Sequence, residues 1–291
     1  LTDDASLRSD VRRLGELLGQ TLVRQESQEL LDLVEKVRKA VREGGGSEIL
    51  ENLDKKQSIQ LVRAFANYFN LANIAEQVHR ARVLTEQRVE GKSWLSRAVD
   101  RIIEAQGQDK ELNKTNLQNW IDSFSVRPVF TAHPTEAARR SVLSKMNTIA
   151  DLLDEKQTAR RDRKLSEMID LLWETDELRL GQPEPLDEAV NALFYLDDLF
   201  ALTIPEVLDD FARELERLGL KVSPTARPLS FGTWIGGDRD GNPNITPQVT
   251  KNAIVLQTGH FIRAMLAMLD ELRQALSVST RISGVSKELV D

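Results

Sequence analysis

The chain has 291 residues with no cysteine, three histidines, 39 Lys+Arg against 46 Asp+Glu, and only 5% aromatics. Without cysteine there is no disulfide, thiol nucleophile, iron–sulfur cluster or cysteine-type zinc site, and His79, His133 and His260 are too scattered to form a three-histidine metal site from sequence neighbours. The net charge of −7 leaves no dominant basic face, which argues against nucleic acid or an anionic membrane as partner.

Gly (15) and Pro (9) fall below the average usage of about 7% and 5%, so a helix-rich chain with an aliphatic core is expected. Leu7, Val11, Leu14, Leu18 and Leu22 share one helical face, and Leu30, Val34, Val37 and Val41 repeat the pattern. Gly44, Gly45 and Gly46 then stop the helix, and Ser47 offers the next N-cap. A long helix is predicted from about 55 to 88, with Val62, Phe65, Phe69 and Ala72 as its stripe and His79 continuing it towards the interior. Further helical stretches follow near 94–106 and 114–124.

The texture changes at Ser125. Val126-Arg127-Pro128-Val129-Phe130-Thr131 is short and β-prone, and Ala132-His133-Pro134-Thr135-Glu136 turns it towards another helix, with Pro134 suited to a first helical turn. Helical patterns fill the chain to about 220, broken by a loop at 181–185. Pro228-Leu229-Ser230-Phe231-Gly232-Thr233-Trp234-Ile235 reads as a second strand, and it leads into Gly236-Gly237-Asp238-Arg239-Asp240-Gly241-Asn242-Pro243. Thr246-Pro247 opens a final long helix to about 277. The division is a helical region over 1–125, then 126–291. The latter holds strand–loop–helix units near 126–150 and 228–277 around a helical insertion over 151–220. No apolar run approaches the ~20 residues of a spanning helix, and the N-terminus lacks a signal peptide's apolar stretch, so the expectation is a soluble, cytoplasmic protein. The start at Leu1 and the end directly after the helix-like 286–290 give no sign of natural termini.

His133 stands at the end of a strand and before a helix N-terminus, where ligands gather and anions meet free N–H donors. A histidine there exchanges protons near neutral pH; the plainer reading is a surface or capping histidine. In the second loop, Gly236, Gly237 and Gly241 let backbone approach a ligand closely, and Arg239 offers paired N–H donors to phosphate or carboxylate. A calcium loop fails because the sixth position is Pro243 and the twelfth is Val249, and no Gly-Lys-Ser/Thr follows to make a phosphate-cradling P-loop. The plainer reading is a tight turn capped by Asp238 and Asp240. Arg139 and Arg140, one turn into the predicted helix after His133, are either a helix surface or an anion site. His79 reads as a core histidine. His260 has no acidic or histidine neighbour at helical spacing and carries no role.

With both loops in view, the chain resembles the N-terminal part of the phosphoenolpyruvate carboxylases. The strings that carry the resemblance are TAHPTE at 131–136, followed by Ala-Ala-Arg-Arg-Ser, and FGTWIGGDRDGNPNIT at 231–246. NLANIAEQVHR at 70–80, WETDELR at 173–179 and PLDEA at 185–189 support it. The resemblance implies formation of oxaloacetate and phosphate from phosphoenolpyruvate and bicarbonate, with Mg²⁺ or Mn²⁺, in an anaplerotic, cytoplasmic and metabolite-regulated tetramer. It implies a mostly helical fold with the first two strands of an incomplete (β/α)₈ barrel. His133 is then expected to handle the carboxyphosphate proton and Arg239 to neutralise phosphate. Asp238 and Asp240 are expected to orient Arg239 and the loop, and Arg139 and Arg140 to form a sugar-phosphate activator site. Members of the family are far longer, so the metal ligands are expected beyond residue 291 and the 291 residues alone are expected to be inactive. The alternative from a different class is a non-catalytic helical anion-binding or interaction module.

Overall fold

The computed structural model describes residues 4–131, 139–176, 184–278, 282, 284 and 286–290, apart from the side chains at 194, 195, 198, 289 and 290. The chain is predominantly helical. The first helices are α1 (Ala5–Gln25), α2 (Gln28–Arg42), α3 (Ser47–Glu51), α4 (Lys55–Val89), α5 (Trp94–Gln106) and α6 (Lys114–Ser123). After strand β1 (Val129–Phe130) come α7 (Arg140–Asp154), α8 (Ala159–Trp173), α9 (Pro185–Asp198) and α10 (Ile204–Arg217). Strand β2 (Gly232–Thr233) and helices α11 (Pro247–Ala275) and α12 (Lys287–Val290) complete the order.

Short polar residues set the helix starts. The Ser27 hydroxyl accepts the Leu30 N–H at 3.3 Å, and Asp54 accepts from Gln57 N–H at 2.8 Å while the Gln57 side chain accepts the Asp54 N–H at 3.2 Å. Each satisfies donors that the first helical turn leaves without a partner. Ser47 departs from the expected N-cap: it is the first residue of α3, and the cap is Gly46 in the left-handed region (φ 114°).

The residues divide into two compact units that cut across the sequence division at 125/126. One is Leu1–Gln108 with Ala137–Gly181; the other is Asp109–Glu136 with Gln182–Asp291. In the first, Leu14, Leu17, Leu18 and Leu22 of α1 pack with Leu71, Ile74 and Val78 of α4, Ile149 and Leu153 of α7, and Leu165, Ile169 and Trp173 of α8. The α1 stripe is as predicted, with Leu7 and Val11 at its less buried end. The α4 stripe is not. Val62 and Phe69 are 68% and 61% exposed, and the buried face is Leu61, Ala64, Leu71, Ile74, Ala75 and Val78. This 35-residue helix carries apolar residues on more than one face, and burial goes to the face that meets α1 and α7. Val41 is likewise 59% exposed, whereas Leu30 and Val37 are buried. His79 is half-buried.

Charged residues fasten the same helices. Arg13 of α1 meets Asp162 of α8 at 3.0 Å, and Asp170 of α8 accepts from the buried Thr21 hydroxyl at 2.6 Å and from Arg24 at 2.8 Å. Trp173 donates its indole N–H to Glu26 at 3.2 Å, and the Arg63 guanidinium lies 4.5 Å over its ring.

In the second unit the two strands pair with each other in parallel, Val129 opposite Gly232 and Phe130 opposite Thr233, extended backwards by a bridge between Val126 and Leu229. Ser230, Gly232 and Trp234 donate in turn to the carbonyls of Val126, Pro128 and Phe130. Pro128 lacks an N–H but here acts only as an acceptor, which a strand tolerates. Among the described residues these are the only two strands. Phe231 sits 6.0 Å from Phe130 and 5.5 Å from Phe200, which belongs to the π-helical turn Leu199–Thr203 between α9 and α10. Phe124 stacks on Phe211 at 5.5 Å.

Candidate functional site

Parallel pairing has one direct geometric result: both strands end on the same side of the pair. The chain leaves β1 at Thr131 and leaves β2 at Trp234 from that common end. His133 itself, and the rest of 132–138, lie outside the described residues.

The segment after β2 is defined residue by residue. The Trp234 carbonyl accepts the N–H groups of both Gly237 (2.9 Å) and Asp238 (2.8 Å), which folds the chain sharply at Gly236. Gly236 has φ +74°, and a Cβ built on it would lie 2.7 Å from the Cβ of Ala253 on α11. Only glycine satisfies both the left-handed backbone and that approach. Asp240 (φ 29°) and Gly241 (φ 75°) make a second left-handed corner, closed by the Asn242 N–H donating to the Arg239 carbonyl. The Asn242 side chain then accepts the Asn244 N–H at 2.9 Å, and Thr246 caps α11 by accepting from Val249 at 3.3 Å.

These corners hold Asp238, Arg239 and Asp240 exposed on one short loop. Arg239 makes no ion pair with Asp238, Asp240 or any other described side chain. Its five N–H donors are therefore open to an anion, and the two carboxylates flank it through the backbone without clamping it. A preset loop that offers a guanidinium suits a phosphate or carboxylate ligand. Among the described residues no group of three or more His, Asp or Glu side chains is placed to hold a metal ion.

Arg139 and Arg140 belong to the other compact unit. The expectation of a position one turn inside a helix is corrected for Arg139. Its backbone is extended (φ −68°, ψ 142°), it stands at the N-cap, and α7 begins at Arg140. The Arg139 guanidinium lies 3.7 Å from Asp176, itself in the WETDELR string.

Two relationships had no local signal in the sequence. His260 of α11 pairs through Nε2 with Oδ1 of Asp197 on α9, a carboxylate 63 positions away that no helical spacing points to. Ala253, an ordinary alanine by type, is the residue against which Gly236 closes.

The fold and loop together define a helical protein in which two parallel strands end on one side, where the loop after the second presents an exposed arginine. The chain belongs to the phosphoenolpyruvate carboxylase family, whose family model matches residues 7–291. It is 36% identical over 273 residues to a phosphoenolpyruvate carboxylase of Alcanivorax borkumensis, covering 87% of this chain and 30% of that protein. It is 33% identical over 313 residues to that of Bradyrhizobium diazoefficiens, covering 99% of this chain and 33% of that protein. A third, from Pseudomonas aeruginosa, is 35% identical over 296 residues, covering 94% of this chain and 33% of that protein. The chain thus spans about a third of the length of these curated relatives. No helix among the described residues is long and apolar enough to cross a membrane.

Proposed function

We propose that these residues are the N-terminal part of a phosphoenolpyruvate carboxylase, and that β1 and β2 are the first two strands of its (β/α)₈ barrel. In that reaction an oxygen of bicarbonate takes the phosphoryl group from phosphoenolpyruvate, which gives carboxyphosphate and the enolate of pyruvate. Carboxyphosphate then breaks its carbonyl carbon–oxygen bond to phosphate, releasing carbon dioxide, and the enolate carbon attacks it to form oxaloacetate.

The observation that best supports this reading is the parallel register of β1 and β2, because it leads the histidine-bearing segment and the arginine loop out of one end of the strand pair. Active sites of such barrels lie at that end. Arg239 neutralises the phosphate while it transfers, a task for fixed positive charge aimed where negative charge builds. His133 takes the carboxyphosphate proton and so promotes release of carbon dioxide. Asp238 and Asp240 hold the loop's two corners in reach of Arg239. Arg139 and Arg140 form a separate anion site for a sugar-phosphate activator. The reaction's Mg²⁺ or Mn²⁺ is held by carboxylates beyond residue 291, and the complete enzyme is a cytoplasmic tetramer. The segment alone lacks those ligands and is inactive.

The test is Arg239→Gln in the complete enzyme, assayed by coupling oxaloacetate to NADH oxidation. The expected result is a fall in kcat/KM for phosphoenolpyruvate of about 10²–10³-fold, the usual effect of removing one preorganised charge-stabilising donor. An unchanged phosphoenolpyruvate dependence returns the loop to a structural turn. The reading as a stand-alone, non-catalytic module has no observation in its favour.

A further inference from the structure

We propose that Ala253 is a positioning residue for the Arg239 loop; the inference rests on the reading of that loop as the phosphate site.

Ala253 is 2% exposed, and among the described residues of α11 it is the one that is buried. Its methyl group faces Gly236. A Cβ on Gly236 would come within 2.7 Å of the Ala253 methyl group, so the loop and the helix meet at a point where only one methyl group fits. The fold at Gly236 is tied together, because the next two N–H groups, of Gly237 and Asp238, both donate to the Trp234 carbonyl. Arg239 follows directly. The helix is held in turn by α9 through the His260–Asp197 pair. Added bulk at 253 therefore displaces the loop more readily than it displaces α11. Ala253 touches no reacting atom. It sets how far the backbone that carries Arg239 can settle towards the helix.

The experiment compares Ala253→Val, Ala253→Gly and Arg239→Gln in the complete carboxylase, with thermal unfolding measured beside steady-state kinetics. Ala253→Val puts two further methyl-sized atoms into a contact that holds one. Its kcat/KM for phosphoenolpyruvate is expected to fall about 10- to 100-fold, the scale of an ångström-sized misplacement, while the KM for bicarbonate stays within about twofold. Ala253→Gly keeps the space open and weakens the helix. It is expected to keep a normal KM for phosphoenolpyruvate while melting at a lower temperature. A merely structural alanine predicts the reverse coupling, with activity following melting temperature in both variants, and that pattern overturns the proposal. If Ala253→Val is unstable, Ala253→Ser, one heavy atom larger than alanine, replaces it with the same expected direction. Arg239→Gln separates the two levels. If Arg239→Gln impairs phosphoenolpyruvate use and folded Ala253→Val does not, the role of Ala253 fails alone. If Arg239→Gln has no effect, the phosphate reading fails first and takes the role of Ala253 with it.

Discussion

Arg82 Nε donates to Asp154 Oδ1 at 2.8 Å, joining the C-terminal part of α4 to the last residue of α7. The same guanidinium donates at 2.8 Å to Asp10 of α1 and at 2.6 Å to the Leu153 carbonyl. One fork thus bridges three helices. Burial works against its charge, but the hydrogen bonds to Asp154 and Asp10 outweigh that and hold its pKa above the ordinary arginine value.

Replacing Arg82 with Met is expected to destabilise the first unit by about 1–3 kcal/mol, the range for hydrogen bonds to charged groups that lose their partner. Arg82→Lys is expected to recover little, because an ammonium cannot span three acceptors in a fork. Urea midpoints followed by circular dichroism check this; equal midpoints for wild type and Arg82→Met would remove the bridge from the account of stability.

Glu29 in the first turn of α2 gives a pH prediction. Its carboxyl pKa is lowered from 4.5, first by the hydrogen bond from Ser27 and then by its own backbone N–H. A carboxylate with a depressed folded value adds stability above its unfolded pKa and loses it as the pH falls through the folded value. Glu29→Gln is therefore expected to lower stability slightly near neutrality, with the difference from wild type vanishing as the pH falls from 4.5 through the lowered folded value. Ser27→Ala should move the Glu29 titration back towards its ordinary value. A carboxyl NMR titration of the folded protein checks both, and a Glu29 midpoint at the ordinary value contradicts them.

For the reaction, His133→Asn in the complete enzyme is expected to keep phosphoenolpyruvate binding while oxaloacetate formation falls about 10²–10⁴-fold, the span of a lost general acid–base group. Calorimetric titration with phosphoenolpyruvate separates binding from turnover. Near-normal carboxylation removes His133 from the mechanism.

The helices were legible where one stripe dominates. Leu14, Leu18 and Leu22 are apolar at helical spacing with charges between, and they are buried. On α4, periodicity pointed to Val62, Phe65, Phe69 and Ala72, but the face that meets α1 and α7 is the buried one. The stripe containing Phe65 and Phe69 instead lines an open groove of about 1360 Å³ with Val11, Leu31 and Val34. The glycine–arginine loop was legible as a loop because three glycines and a proline surround its charges. Its anchoring was not. Neither the seat on Ala253 nor the pairing of His260 with Asp197 leaves a mark in local spacing, since each joins elements that meet only after folding.

Neither compact unit is a continuous run of chain, and this imposes an order on synthesis. The leucine face of α1 and the inner face of α4 leave the ribosome well before α7 and α8, which complete their core, have been translated. At ~5–20 residues per second the stretch from Gln108 to Trp173 takes about 3–13 s. For that interval α1 and α4 have each other but lack the cover that α7 and α8 give their shared core. Their core is complete only when Trp173 has emerged and donates to Glu26.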